Sequence, residues 1–171
     1  MSETILKNAG RAFVFGDNID TDVLAPGRLM KLAPMELAKH CLEAIDPSFA
    51  STVEAGDFVV GGANFGLGSS REQAAISLRL LGVQAVIAPS FARIFFRNAI
   101  NAGLAPITLT APADIQPGDR LAVDLAEGVV ENLTQGRRYA AQPLPQHLLD
   151  IIQEGGLMQY LKRRGQHEAA Q

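Results

Sequence analysis

Gly61-Gly62-Ala63-Asn64-Phe65-Gly66-Leu67-Gly68-Ser69-Ser70-Arg71-Glu72 is the stretch that decides how this chain is read. It follows an apolar run, Phe58-Val59-Val60, passes through four glycines and ends on two hydroxyls, an arginine and a glutamate. Ala74, Leu78 and Leu81 then recur at i, i+4 and i+7, the period of an amphipathic helix. The order is strand, glycine-rich turn, helix start. Glycines admit positive φ and let another group approach the main chain closely. The free amides of a helix's first turn, backed by the positive end of its dipole, attract anions. Arg71 adds a planar fork of donors suited to a carboxylate or phosphate. The same residues have a second reading. Ser69 and Glu72 stand at the Ser-x-x-Glu spacing of a capping box, in which case the glycines only turn the chain. The stretch is neither a Rossmann fingerprint nor a Walker A loop, since it lacks the third glycine and any following Gly-Lys-Ser/Thr.

Upstream, Arg11–Phe15 is a short strand candidate closed by Gly16. Asp17 to Pro26 holds three aspartates but lacks the glycine and terminal glutamate of a calcium loop, so Asx-turns are its plain alternative. Pro34 fits the first position of a helix that Asp46-Pro47 stops, with Met35, Ala38 and Leu42 on its apolar face. His40 and Cys41 are neighbours there and point in different directions, which argues against a metal site. Downstream, Gly82 caps the first helix and Gln84–Ala88 reads as a buried strand. A second helix places Phe91, Ile94, Phe95, Ala99 and Ala102 on one face, with Arg93 and Arg97 at i, i+4 on the other side, solvated by default, with pairing to acidic groups or facing a partner as the alternatives. Pro106–Leu109 is the next strand. This alternation predicts parallel strands joined by helical crossovers. Leu121–Leu125 and Gly128–Leu133 predict a β-hairpin. A last helical stretch runs from about Pro145 to Arg164, broken at Gly155-Gly156, so the reading is one α/β domain over 1–165 and a polar tail over 166–171.

Composition removes several classes of function. At 171 residues the chain is long enough for one core. A net charge of −3 gives no basic footprint for nucleic acid or anionic lipid. No apolar run approaches the ~20 residues of a membrane span. Met1–Thr4 carries no charged-then-apolar leader, so the expected location is cytoplasmic. Cys41 is the sole cysteine, which precludes an internal disulfide and suits a reducing compartment.

Three segments, in order, resemble motifs of the aconitase superfamily's small swivel domain: Asp17-Asn18-Ile19-Asp20-Thr21-Asp22, Asn64–Glu72, and Ser90-Phe91-Ala92-Arg93-Ile94-Phe95-Phe96-Arg97-Asn98. The similarity runs from about Gly10 to Arg164 and is greatest to the small subunits of 3-isopropylmalate dehydratases. It implies a swivelling β/β/α fold like the fourth domain of aconitase. It also implies a hydro-lyase of leucine biosynthesis, which interconverts 2- and 3-isopropylmalate by dehydration and rehydration. Such a subunit works in a hetero-oligomer with a large subunit that carries a [4Fe–4S] cluster. By the same resemblance, Ser69 is the catalytic base, with Ser70 and Arg71 binding a substrate carboxylate. Gly66 and Gly68 shape the loop. Asp20, Thr21 and Asp22 border the substrate, and Arg28, Leu29 and Met30, within Arg28–Leu32, help choose it. Such a cluster takes about three or four thiolates, so with Cys41 alone this chain is expected to bind no metal. Gln73 departs from the pattern, standing where relatives often have histidine. Two alternatives remain at this point: a related hydro-lyase (homoaconitase, or one acting on 2,3-dimethylmalate or methylmalate-type acids), and a non-catalytic anion-binding module of the same fold.

Overall fold

Strand β1 (Ile5–Val14) is the seam of the sheet in the computed structural model, which describes residues 5–110 and 114–169. Its C-terminal half pairs in parallel with β2 (Phe58–Val60), Ala12 opposite Phe58 and Val14 opposite Val60. Its N-terminal half pairs antiparallel with β5 (Arg120–Asp124). Beyond β2 the sheet continues in parallel through β3 (Ala85–Ala88) and β4 (Ala105–Thr108). Beyond β5 it continues antiparallel through β6 (Val129–Asn132) and β7 (Arg137–Ala140). The strand order is β4-β3-β2-β1-β5-β6-β7.

Successive side chains on a strand face opposite ways, so a strand buried on both faces reads as a continuous apolar run. Val59 and Val86 face one core, with Leu24, Leu37, Phe49, Leu78 and Phe95. Phe58, Ala85 and Ile87 face a second, with Leu121, Val130, Leu149 and Ile152. The first core is covered by α1 (Thr21–Leu24), α2 (Pro34–Ala38), α3 (Phe49–Thr52), α4 (Gln73–Leu80) and α5 (Arg93–Asn101). The second lies between the curled antiparallel strands and α6 (Gln146–Gln153). The predicted alternation and the mixed α/β class therefore hold. No helix among the described residues is long and apolar enough to cross a membrane.

Four differences from the sequence reading have physical causes. The helix starting at Pro34 ends at Ala38, because Leu42 takes a left-handed backbone (φ 62), donates its N–H to the Val23 carbonyl and buries its side chain completely. Burial in the core outweighs the local helical pattern. Ile94, expected on the apolar face, is 47% exposed, since α5 turns Phe95, Ala99 and Ile100 inward instead. The hairpin gains a third strand, β7, whose Arg137 and Arg138 hide any strand-like apolar pattern and protect a sheet edge. Helix α7 (Leu157–Ala169) follows the Gly155-Gly156 break and continues through residues 166–169, a stretch expected to be tail.

The seam is packed tightly against the 54–57 turn. Asp57, buried, accepts the Arg11 and Glu54 amides at 2.9 and 2.8 Å and pairs with the Arg11 guanidinium at 3.0 Å. A Cβ on Gly10 would lie 1.9 Å from the Gly56 carbonyl oxygen, backbone that has little room to shift. Gly10→Ala should therefore destabilise the chain by about 1–3 kcal/mol, as overpacking does, read as a lower urea midpoint. An unchanged midpoint would show that this turn yields freely.

Candidate active site

The three motif segments follow β1, β2 and β3, so parallel pairing brings them to one edge, the carboxyl ends of the strands. That is where open parallel sheets place their ligands. Main-chain bonds continue the β1–β2 ladder outward. Gly62 N–H donates to the Gly16 carbonyl (2.9 Å), Asn18 N–H to that of Ala63 (2.8 Å), Gly66 N–H to that of Ile19 (2.7 Å) and Thr21 N–H to that of Leu67 (2.8 Å). The Asp17 carboxylate accepts the Ala63 amide at 2.7 Å. Asn18 and Asn64 both hold φ of 59, the left-handed region asparagine tolerates best, and their side chains bond at 3.2 Å. On the other flank, Ser90 accepts the Asn64 amide on Oγ and the Phe65 amide on its carbonyl.

Aromatic packing fixes the loop from beneath. Phe65 is fully buried and meets Phe95 edge-on at 5.3 Å and Phe91 at 6.0 Å. Gly66 sits over Phe95 with φ 82, and a Cβ there would come within 2.1 Å of that ring. Asn98, one turn further along α5, donates to the Ser70 carbonyl at 3.3 Å. Sequence reasoning quoted Asn98 within a motif but gave it no role; its place one turn after the buried Phe95 is the signal that could have found it.

The loop ends in the polar cluster. Gly68, Ser69 and Ser70 are exposed, whereas Arg71 is half-buried. The capping box does not form: α4 starts at Gln73, Glu72 precedes it in helical conformation, and Ser69 turns instead toward Thr21. Ser69 N–H donates to Thr21 Oγ1 at 3.0 Å, and the two hydroxyl oxygens are 3.1 Å apart. Ser69 therefore does not sit at the first turn of the helix, and the helix dipole is further from it than the sequence suggested. Arg71 Nη1 donates to Asp22 Oδ1 (3.2 Å) and to the Ala25 carbonyl (2.8 Å). Asp22 also accepts the Gly27 amide at 2.8 Å. That amide first, then the Arg71 guanidinium, with a smaller contribution from the charge of Arg28, holds the Asp22 carboxyl below the usual carboxylate range.

The remaining predicted residues are near but differently engaged. Asp20 caps α1, its Oδ1 accepting the Val23 amide at 2.8 Å. Arg28, 69% exposed, pairs with Glu43 at 3.0 Å, and Glu43 also contacts His40 at 2.8 Å. Leu29 and Met30, at the end of the short 3-10 turn Gly27–Leu29, are half-buried against the first core. Cys41 is fully buried and its thiol is pushed up by burial, which disfavours the ligating thiolate. Among the described residues no group of three His, Cys, Asp or Glu could hold a metal ion. With Cys41 the one cysteine of the sequence, the described side chains do not fit an iron–sulfur cluster.

Comparison with known proteins bears on the family and the fold. Residues 38–112 match the aconitase C-terminal domain family. A 3-isopropylmalate dehydratase small subunit 1 from Thermotoga maritima is 51% identical over 91% of this chain and 95% of its own length. A methanogen homoaconitase small subunit from Methanothermobacter thermautotrophicus is 50% identical over 90% of each chain. The crystal structure of 3-isopropylmalate dehydratase (leuD) from Methanocaldococcus jannaschii superposes with a TM-score of 0.89 at 42% identity, covering 95% of this chain and 97% of the other.

The Asp22–Arg71 contact is testable by titration. A depressed pKa means the contact contributes stability above the unfolded value of about 3.9 and loses it as pH falls through the folded-state value. Carboxyl-carbon NMR should find Asp22 titrating below the ordinary range. Arg71→Gln should raise that midpoint only part of the way, because the Gly27 amide remains. A midpoint indifferent to Arg71→Gln would mean the pair does not form in solution.

Proposed function

Because the chain belongs to the family of 3-isopropylmalate dehydratase and homoaconitase small subunits, which carry the aconitase C-terminal domain, we propose that it is the small subunit of a 3-isopropylmalate dehydratase, acting in leucine biosynthesis. The observation that carries the reading is an exposed Ser69 hydroxyl at the tip of a rigid loop, two residues from an arginine whose guanidinium is already oriented. Arg71 and Ser70 take a carboxylate of a small 2-hydroxy acid. Ser69 takes the proton from the carbon beside it. The electron pair of that C–H bond becomes the C=C bond, and the hydroxyl on the neighbouring carbon leaves with its own pair, so the elements of water are lost. Adding them back with the hydroxyl on the other carbon completes the isomerisation.

A leaving hydroxyl needs an electrophile, and no group of side chains that could hold a metal ion stands among the described residues. We assign that function to a large subunit bearing the [4Fe–4S] cluster. The openness of the site supports a partner too. Gly68, Ser69 and Ser70 face solvent, and charge stabilisation by fixed donors is far stronger once water is excluded. Ile94, exposed on the same helix as Asn98, extends the rim that such a partner would cover. The single cysteine fits a cytoplasmic location.

A homoaconitase is the second reading, favoured by the relative of that name. The two differ in the side group the site must accept, isopropyl in one case and a further carboxylate-bearing arm in the other. Leu29 and Met30 offer apolar surface, and the Arg28 guanidinium is engaged by Glu43. That arrangement favours the isopropyl group.

Mixed with its large subunit, the chain should form the alkene from 2-isopropylmalate, followed by ultraviolet absorbance, with a higher kcat/KM than from homocitrate. The reverse ratio would establish the homoaconitase reading. Ser69→Ala in the assembled enzyme should lower kcat roughly 10²–10⁴-fold, the range for losing a general base. Near-normal turnover would remove Ser69 from the chemistry.

A further inference from the structure

Thr21 is only 3% exposed, so its hydroxyl must find its partners within the protein. A threonine hydroxyl has one proton to donate and lone pairs with which to accept. One lone pair of Thr21 Oγ1 accepts the Ser69 amide at 3.0 Å. For the proton, the acceptor within reach among the described residues is Ser69 Oγ, at 3.1 Å. The same threonine thus holds both the backbone and the side chain of Ser69.

We propose that Thr21 is a positioning residue that donates its hydroxyl proton to Ser69 Oγ and aims the serine's remaining valence at the substrate. This rests on the reading of Ser69 as the base, and it moves Thr21 from binding substrate to acting through the serine. The surroundings are shaped for the contact. Gly68 has φ 114, and a Cβ there would come within 2.9 Å of Thr21 Oγ1, so any other residue would displace the hydroxyl. Thr21 is itself fixed, by its N–H to the Leu67 carbonyl and by the Asp20 cap immediately before it. Its β-branched side chain is stiff about χ1, which keeps the oxygen where the loop needs it. A preorganised donor aimed at an oxygen that gains negative charge is the arrangement that stabilises such charge most effectively.

The test compares Thr21→Val, which removes the hydroxyl at nearly constant shape, with Thr21→Ser, which keeps it. In the assembled enzyme, Thr21→Val should lower kcat about a hundredfold, as loss of one such donor does, with KM little changed. Thr21→Ser should restore most of the loss. In a Ser69→Ala background, Thr21→Val should cost nothing further, since the two act as one unit. Amide exchange of this chain alone gives a readout independent of turnover: the Ser69 N–H should exchange slowly in the wild type and Thr21→Ser, and fast in Thr21→Val. Thr21→Ala provides the same hydroxyl-free comparison if Thr21→Val does not assemble. Wild-type kcat in Thr21→Val, or equal losses in the Val and Ser variants, would overturn the proposal, the latter by showing a packing role. A further loss in the Ser69→Ala background would also overturn it, by placing Thr21 on the substrate directly. Full activity in Ser69→Ala alone would instead remove the base on which the proposal rests, and the exchange data would show whether the contact itself exists.

Discussion

The hydrogen-bond ladder joining residues 12–21 to residues 58–69 is the constraint on which the rest of the molecule depends. Within the sheet it is ordinary parallel pairing. Past the strand ends it continues through loops, and its spacing drifts. Partners are 46 apart at Val14 and Val60, but 47 apart at Asp20 and Leu67. The glycine loop therefore fits one more residue than the segment it follows. Gly66 and Gly68, both with positive φ, flank Leu67, where that excess has been absorbed. Their conformations are the geometric condition for bringing Ser69 to Thr21 at all.

This explains what could and could not be read from the residues in order. Phe58–Val60 and Ala85–Ala88 are buried on both faces, so unbroken apolar runs announced them as inner strands of an alternating α/β sheet. The glycine loop was legible for a similar reason, since its composition is itself a conformational statement. The capping box was a local pattern that lost to a distant contact: Ser69 had a partner in Thr21 that no short window contains. Leu42 reads as helix for the same local reason and is pulled out of it by the core. Strand β7, with its arginines, had no apolar alternation to find.

The charges around the loop are arranged in two nearly self-contained sets. Arg71, Asp22 and the Gly27 amide form one, and Arg28, Glu43 and His40 the other. Asp22 is 72% exposed on its side chain, so it orients Arg71 without burying a charge of its own. An arginine held this way keeps its positive charge available for an incoming acid while losing little rotamer freedom on binding. The second set engages the Arg28 guanidinium beside the apolar turn at Leu29 and Met30.

The seam strand also sets a timetable for synthesis. The half of β1 that meets β2 finds its partner within a few dozen residues, but the other half waits for β5. Ala9 and Arg120, which bond across that junction, are 111 residues apart. At a ribosomal rate of about 5–20 residues per second, that wait is roughly 5–20 s. During it, residues 5–10 form an unpaired strand edge on a nascent chain, the kind of surface other chains capture.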